Sequence, residues 1–119
     1  MKTRKEYTCP LELTHDVTKG KWKPIILFQL GRGALQPSEL EKSIQDISQK
    51  MLLEQLGELV DAGMVEKKTY TGYPLKTEYS LTPRGWKMLA AITIMQDIGI
   101  DMMKENGMED VLRSRGLLE

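Results

Sequence analysis

The segment from Ser48 to Asp61 constrains the fold of this chain more than any other. Its apolar side chains recur at three- or four-residue intervals, the spacing that places them on one face of an α-helix. Ser48 is suited to the N-cap because its hydroxyl can accept from free backbone N–H groups of the first turn, and Gly63 is suited to ending the helix. The segment therefore predicts an amphipathic helix with a buried stripe of Leu52, Leu56, Leu59 and Val60.

Beyond this helix the pattern changes to that of β-strands. Met64–Tyr70 and Thr77–Leu81 are rich in residues that favour strands. The stretch between them, Thr71–Lys76, contains a glycine and a proline and predicts the loop of a hairpin.

Further helices are expected on both sides of these elements. Before Ser48 we expect a short helix closing near Gly20, an apolar helix with Pro24 in its first turn, and a short helix from Pro37 to Ile44. After the hairpin, a threonine–proline pair begins a long helix over residues 83–106, followed by a short tail helix. This order is that of a winged helix-turn-helix with an added C-terminal helix, a mainly α (α+β) fold.

Length and composition are consistent with one soluble globular domain over residues 1–119. The chain has 40% hydrophobic and 29% charged residues, which is ordinary for that class. No apolar run is long enough for a membrane span and no signal segment follows the N-terminus, so we expect a cytoplasmic protein. A single cysteine and a single histidine exclude an internal disulfide and leave too few ligands for a structural zinc site, so no metal or cofactor is expected.

The charge distribution bears on nucleic-acid binding. The formal net charge is zero, whereas DNA-binding domains usually carry a basic excess. Residues 1–24 hold six Lys/Arg against three Asp/Glu, residues 25–96 hold eight against eight, and residues 97–119 hold three against six. A basic face is therefore possible if the acidic C-terminal part points elsewhere.

Seven stretches are considered together: Cys9–Glu12, Gly20–Lys23, Ser38–Leu40, Ile47–Leu52, Gln55–Leu56, Leu59–Val65 and Glu78–Gly85. In this order and spacing they resemble the HxlR family of transcription regulators, from roughly Cys9 to Gly99. The resemblance implies a DNA-binding homodimer in which the terminal helices form the interface. It also implies that two recognition helices enter successive major grooves while two wings contact the flanking backbone. Pro24 and the weakly basic loop Gly72–Leu75 depart from the family pattern.

The N-terminal arc of the Ser48 helix holds the candidate base contacts. With the apolar stripe buried, Gln49, Lys50, Leu53 and Glu54 remain exposed. Lysine can donate to guanine, glutamine can pair with adenine, and Ser48 can donate to a phosphate at the helix start. The alternative is that Gln49 and Lys50 are solvated polar residues with no partner. Weaker candidates for phosphate contact are Lys21, Lys23, Lys67, Lys68 and Lys76.

Cys9 precedes Pro10 at the N-terminus of the first predicted helix. The helix dipole and Lys5 favour the thiolate there, whereas Glu6 and Glu12 oppose it. The family resemblance implies a cysteine near the N-terminus that senses oxidants or electrophiles, and Cys9 is at the matching place. The alternative is a buried, inert cysteine.

Two other function classes remain open. A winged-helix module that binds another protein through the Ser48 helix would fit the neutral charge, and it is the main alternative to a sequence-specific regulator, which we expect to act as a repressor. A cysteine enzyme would need an orienting group and an oxyanion site, for which the sequence gives no indication. The tryptophans and methionines are expected in the core or the dimer interface, with an effector pocket as the alternative.

Overall fold

A computed structural model describes residues 6–118 of the chain. It confirms the winged helix-turn-helix and divides into two units, residues 6–89 and residues 90–118, which are described separately. The elements, in order, are α1 (Pro10–Thr18), α2 (Trp22–Leu30), α3 (Pro37–Ser43), α4 (Gln49–Asp61), β1 (Val65–Tyr70), β2 (Lys76–Leu81), α5 (Pro83–Glu105) and α6 (Glu109–Ser114).

The core of the first unit lies where α2, α3 and α4 pack against one another and against the two strands. The stripe predicted for α4 is buried at Leu52, Leu56 and Leu59, all without solvent exposure, whereas Val60 is half-buried. Burying one such leucine contributes about 1.5–3 kcal/mol, so this stripe fixes which face of α4 turns inward. The other fully buried side chains of this unit include Ile26, Leu27, Leu30 and Leu40.

Local hydrogen bonds define the helix-turn-helix formed by α3 and α4. At the start of α3, the Gln36 backbone N–H donates to Glu39 Oε1 over 2.9 Å. In the turn, Asp46 adopts a positive φ of 68°, a conformation that aspartate tolerates better than most residues, and Ile47 is buried. The Ser48 hydroxyl then accepts from the Met51 backbone N–H over 3.0 Å, which confirms the predicted N-cap of α4.

The wing is the antiparallel pair β1–β2, in which Val65 is opposite Leu81 and Tyr70 is opposite Lys76. Leu35 extends the base of this sheet, because its backbone exchanges two hydrogen bonds with Tyr79, over 2.9 and 2.8 Å. Val65, Tyr79 and Leu81 are buried at the base, whereas loop residues 71–75 are all exposed. The wing is therefore anchored at one end only.

The second unit contains the C-terminal part of α5 together with α6. Ile92 and Leu112 are its most buried apolar residues. α5 ends at Glu105, one residue before the predicted end, and Gly107 follows with a φ of +72°. Four large apolar side chains on the C-terminal part of α5 are more than half exposed: Ile94, Met95, Ile98 and Met102. Among residues 6–118, no helix combines the length and hydropathy needed to cross a membrane.

Candidate nucleic-acid interface

The N-terminal arc of α4 is open to solvent. Gln49, Lys50, Leu53 and Glu54 are all exposed, as is the N-cap Ser48. Lys50 and Glu54 lie on the side opposite the buried leucine stripe, and Leu53 lies on its flank. Gln49 is exposed because it is the first residue of the helix. The structure thus brings the five predicted base-contact and phosphate-contact residues of this segment onto one accessible end of a helix.

This arc carries chemically different groups. The Lys50 ammonium suits the acceptors of guanine, and the Gln49 amide suits the paired donor and acceptor of adenine. Leu53, which is 42% exposed, offers an apolar surface of the kind that contacts the thymine methyl group. Glu54 can accept only from a donor such as the cytosine amino group. The arc is therefore suited to base edges rather than to phosphates alone.

The helix start is suited to a phosphate. The first backbone N–H groups of a helix lack intrahelical partners, and the positive end of the helix dipole favours an anion. Since the Ser48 hydroxyl accepts from the Met51 N–H, its own hydrogen remains able to donate to a phosphate oxygen.

The lysines of the wing are divided between two faces of the hairpin. Lys68 and Lys76 flank the Tyr70 ring on one face, with their Nζ atoms 4.9 and 5.7 Å from its centroid. Lys76 Nζ also lies 3.8 Å from Glu78 Oε2. Lys67 is exposed on the other face, opposite Tyr79. One face of the wing therefore offers two ammonium groups arranged around an aromatic ring.

Lys21 and Lys23, the two candidates beside α2, have different environments. Lys21 is exposed and its Nζ lies 4.5 Å from the Trp22 ring centroid. Lys23 is only 6% exposed, and its Nζ lies 2.9 Å from Glu58 Oε2 on α4. A buried ammonium held by a carboxylate is not presented to DNA, so Lys23 does not belong to this interface.

The sequence spacing already indicated that Lys23 lies on the buried face of α2. Lys23, Leu27 and Leu30 follow the four- and three-residue spacing of one helix face, and both leucines are fully buried. By contrast, sequence alone could not predict that Tyr70 lies between Lys68 and Lys76. Lys76 belongs to the other strand, so its position beside Tyr70 depends on the strand register.

Cys9 is the N-cap of α1 and is half-buried, with its thiol outside any disulfide. Its carbonyl oxygen accepts from the Glu12 backbone N–H over 3.0 Å. The Glu12 carboxylate lies in the first turn of the same helix and accepts from the Thr8 hydroxyl. Lys5, which the sequence placed near this thiol, lies outside the described residues.

Comparison with known proteins identifies the family. Residues 17–107 match the family described as HxlR-like helix-turn-helix. The chain belongs to this family. It is 37% identical over 100 residues to MalR, named as a regulatory protein of Fusobacterium mortiferum, covering 83% of this chain and 94% of the relative.

Solved structures related to this HxlR-like chain have the same fold. A transcriptional regulator of Porphyromonas gingivalis W83, named as a MarR-family member, superimposes with a TM-score of 0.75 at 35% identity and covers 83% of this chain and 97% of its own. The redox regulator HypR in its reduced form superimposes with a TM-score of 0.72 at 35% identity, covering 89% and 99%. The family and its relatives establish a helix-turn-helix transcription regulator that binds DNA and is not an enzyme.

Proposed function

We propose that this chain is a cytoplasmic, homodimeric repressor that binds a palindromic site in double-stranded DNA. In this proposal, α4 enters the major groove and the wing contacts the flanking backbone. The observation that carries it is the exposed N-terminal arc of α4, on a helix that the fully buried leucine stripe anchors to the core. A helix supported in this way can present its leading side chains to base edges without disturbing the core.

Within this interface, Gln49, Lys50, Leu53 and Glu54 select the base sequence, and Ser48 contacts a phosphate. Lys68 and Lys76 supply the wing's contacts to phosphate. Lys67, on β1, and Lys21, just before α2, are further cations that can contact phosphate. Contacts to phosphate fix register and orientation, whereas contacts to base edges carry specificity. The neutral total charge is compatible with binding because these exposed cations are local to the first unit.

The homodimer is supported by the apolar surface of α5. Ile94, Ile98 and Met102 recur every four residues on one side of the helix, and each is more than half exposed. An apolar helix face of this kind is typical of a subunit interface. A two-fold pair would place two copies of α4 one helical turn of DNA apart, or a multiple of it. Bound across a promoter, such a dimer would block transcription.

Selection from random-sequence DNA tests the proposal. We expect the wild-type protein to enrich a palindrome, and Lys50→Ala to weaken binding to that site by a factor of about 10 and to relax its preference at one base pair of each half-site. Lys104→Ala removes an exposed charge from α5 and serves as the matched control, with wild-type affinity. Failure of the wild type to enrich any sequence at low salt would reject sequence-specific binding and favour the protein-binding module.

We also propose that Cys9 makes the regulator sensitive to oxidants or electrophiles. It is half-buried at a helix N-terminus, and the related HypR is named as a redox regulator. Because the chain has one cysteine, any disulfide formed by it joins two subunits or a subunit and a small thiol. Cys9→Ser should keep the DNA affinity of the reduced wild type and lose its response to diamide. A wild-type protein whose DNA binding is unchanged by diamide or by a quinone would reject this role.

A further inference from the structure

The end of α4, the start of the wing and the first turn of α5 meet at one junction in the first unit. The Arg84 Nη1 donates to the Ala62 carbonyl oxygen over 2.9 Å. The Thr82 hydroxyl donates to the Gly63 carbonyl oxygen over 2.6 Å, and the Thr82 backbone N–H donates to the Met64 carbonyl oxygen over 3.1 Å. Three consecutive carbonyls that follow α4 therefore accept from the residues that begin α5.

These contacts complete a helix end that the local sequence leaves incomplete. Within α4 and its cap, Gly63 has a φ of +75° and donates to Val60, and Met64 donates to Leu59. Together with the bond from the Ala62 N–H to Glu58, this pattern satisfies the carbonyls of Glu58, Leu59 and Val60 but not those of Ala62 and Gly63. The last turn of α4 contains no basic residue of its own. Arg84 supplies a cation at the negative end of the helix dipole.

Close approach of the backbones makes the junction rigid. A Cβ added at Gly85 would overlap the Met64 carbonyl oxygen, so the first turn of α5 lies directly against the residue that precedes β1. The Gly85 backbone N–H also donates to the Thr82 hydroxyl over 3.1 Å. That hydroxyl thus caps α5 and binds the end of α4 at once. Small rotations of α4 against α5 would break several of these contacts together.

We propose that Arg84 and Thr82 are positioning residues that hold α4 at a fixed angle to the first turn of α5. The inference rests on the proposed function, in which α5 contributes to the homodimer interface. In such a dimer, a change in the angle between α4 and the first turn of α5 would change the separation of the two recognition helices. Arg84 and Thr82 therefore set which spacing of half-sites the dimer accepts, without contacting DNA.

The test is selection from random-sequence DNA with full-length wild type, Arg84→Ala and Thr82→Val in parallel. We expect all three to enrich the same half-site, because the exposed arc of α4 is unchanged. The wild type should accept one spacing, whereas both variants should accept spacings that differ by one or two base pairs. On synthetic sites, a spacing changed by one base pair should lower the affinity of the wild type by about tenfold, which is the effect of losing one charge-assisted hydrogen bond. The same change should lower the affinity of the variants by less than about threefold.

Matched controls separate positioning from general damage. Lys87→Ala removes a charge one turn further along α5, and Thr82→Ser keeps the hydroxyl, so both should keep the wild-type spacing. If Arg84→Ala is unfolded at the assay temperature, Thr82→Val decides by the same criterion. A folded variant with the wild-type spacing preference overturns the inference, and so does one that loses the half-site itself. A wild type that enriches no palindrome overturns the proposed function instead.

Discussion

Replacing Lys23 by alanine distinguishes the structural role of this residue from the phosphate contact that its sequence context suggested. Lys23 is almost fully buried, and its ammonium lies 2.9 Å from the Glu58 carboxylate. Lys23→Ala should therefore lower the free energy of unfolding and leave the salt dependence of DNA binding unchanged. A phosphate contact would give the opposite pattern: unchanged stability, and a slope of log K against log salt reduced by about 0.9.

The size of the effect follows from burial. Removing one partner of a fully buried ion pair costs about 3–5 kcal/mol, because the other charge stays in a poorly solvated site. The Glu58 side chain retains 30% of its exposure, so water recovers part of that cost. We expect a loss of about 2 kcal/mol, which in a chain of 119 residues lowers the melting temperature by roughly 8 °C.

Thermal unfolding followed by circular dichroism measures this loss, at one protein concentration because the proposed dimerisation would add to apparent stability. Lys21→Ala is the matched control, since Lys21 is exposed and its removal should cost less than about 0.5 kcal/mol. Lys23→Met combined with Glu58→Leu should recover most of the lost stability, because apolar groups can replace a buried pair. A stable Lys23→Ala protein with a reduced salt slope would refute the argument.

The remaining predictions concern the proposed dimer and two glycines. Ile98→Glu should make the protein monomeric in sedimentation experiments, because a charge would enter the apolar face of α5. Lys104→Gln makes the same change of charge and should remain dimeric. A dimeric Ile98→Glu protein would place the interface elsewhere. Gly85→Ala should destabilise the fold by about 2 kcal/mol or more, since its Cβ would overlap the Met64 carbonyl oxygen. Gly57→Ala meets nothing within 4 Å on a solvent-facing position of α4 and should instead stabilise the fold by about 0.5–1 kcal/mol. Denaturant unfolding of the two alanine variants compares them, and equal effects would contradict the close approach at Gly85.

The elements that sequence predicted well are those governed by neighbouring residues. The Ser48 cap and the leucine stripe of α4 depend on contacts within a few positions, and both are confirmed. The long helix was predicted from Thr82 and Pro83 and differs by one residue at its end. These features were accessible because helix caps and helical periodicity are local properties of the chain.

Contacts between distant segments were not accessible in the same way. The pairing of Lys23 with Glu58 joins α2 to α4, and the hydrogen bonds of Arg84 join α5 to the end of α4. No local pattern states which carboxylate or carbonyl a side chain will meet once the helices have packed. The exposed arc of α4 was predicted because it depends only on knowing which face is buried, whereas the set of available cations required the packed structure.

The one-sided anchoring of the wing has a consequence for how regulators built this way can diverge. An isolated two-stranded hairpin is marginally stable, so the wing depends on its base, where Leu35 and Tyr79 exchange backbone hydrogen bonds. Residues 71–75 are exposed and contribute little to the core; Tyr73 is fully exposed and Leu75 is 73% exposed. Substitutions and changes of length at this tip therefore have little effect on folding. New DNA preferences can evolve there while the rest of the protein keeps its stability.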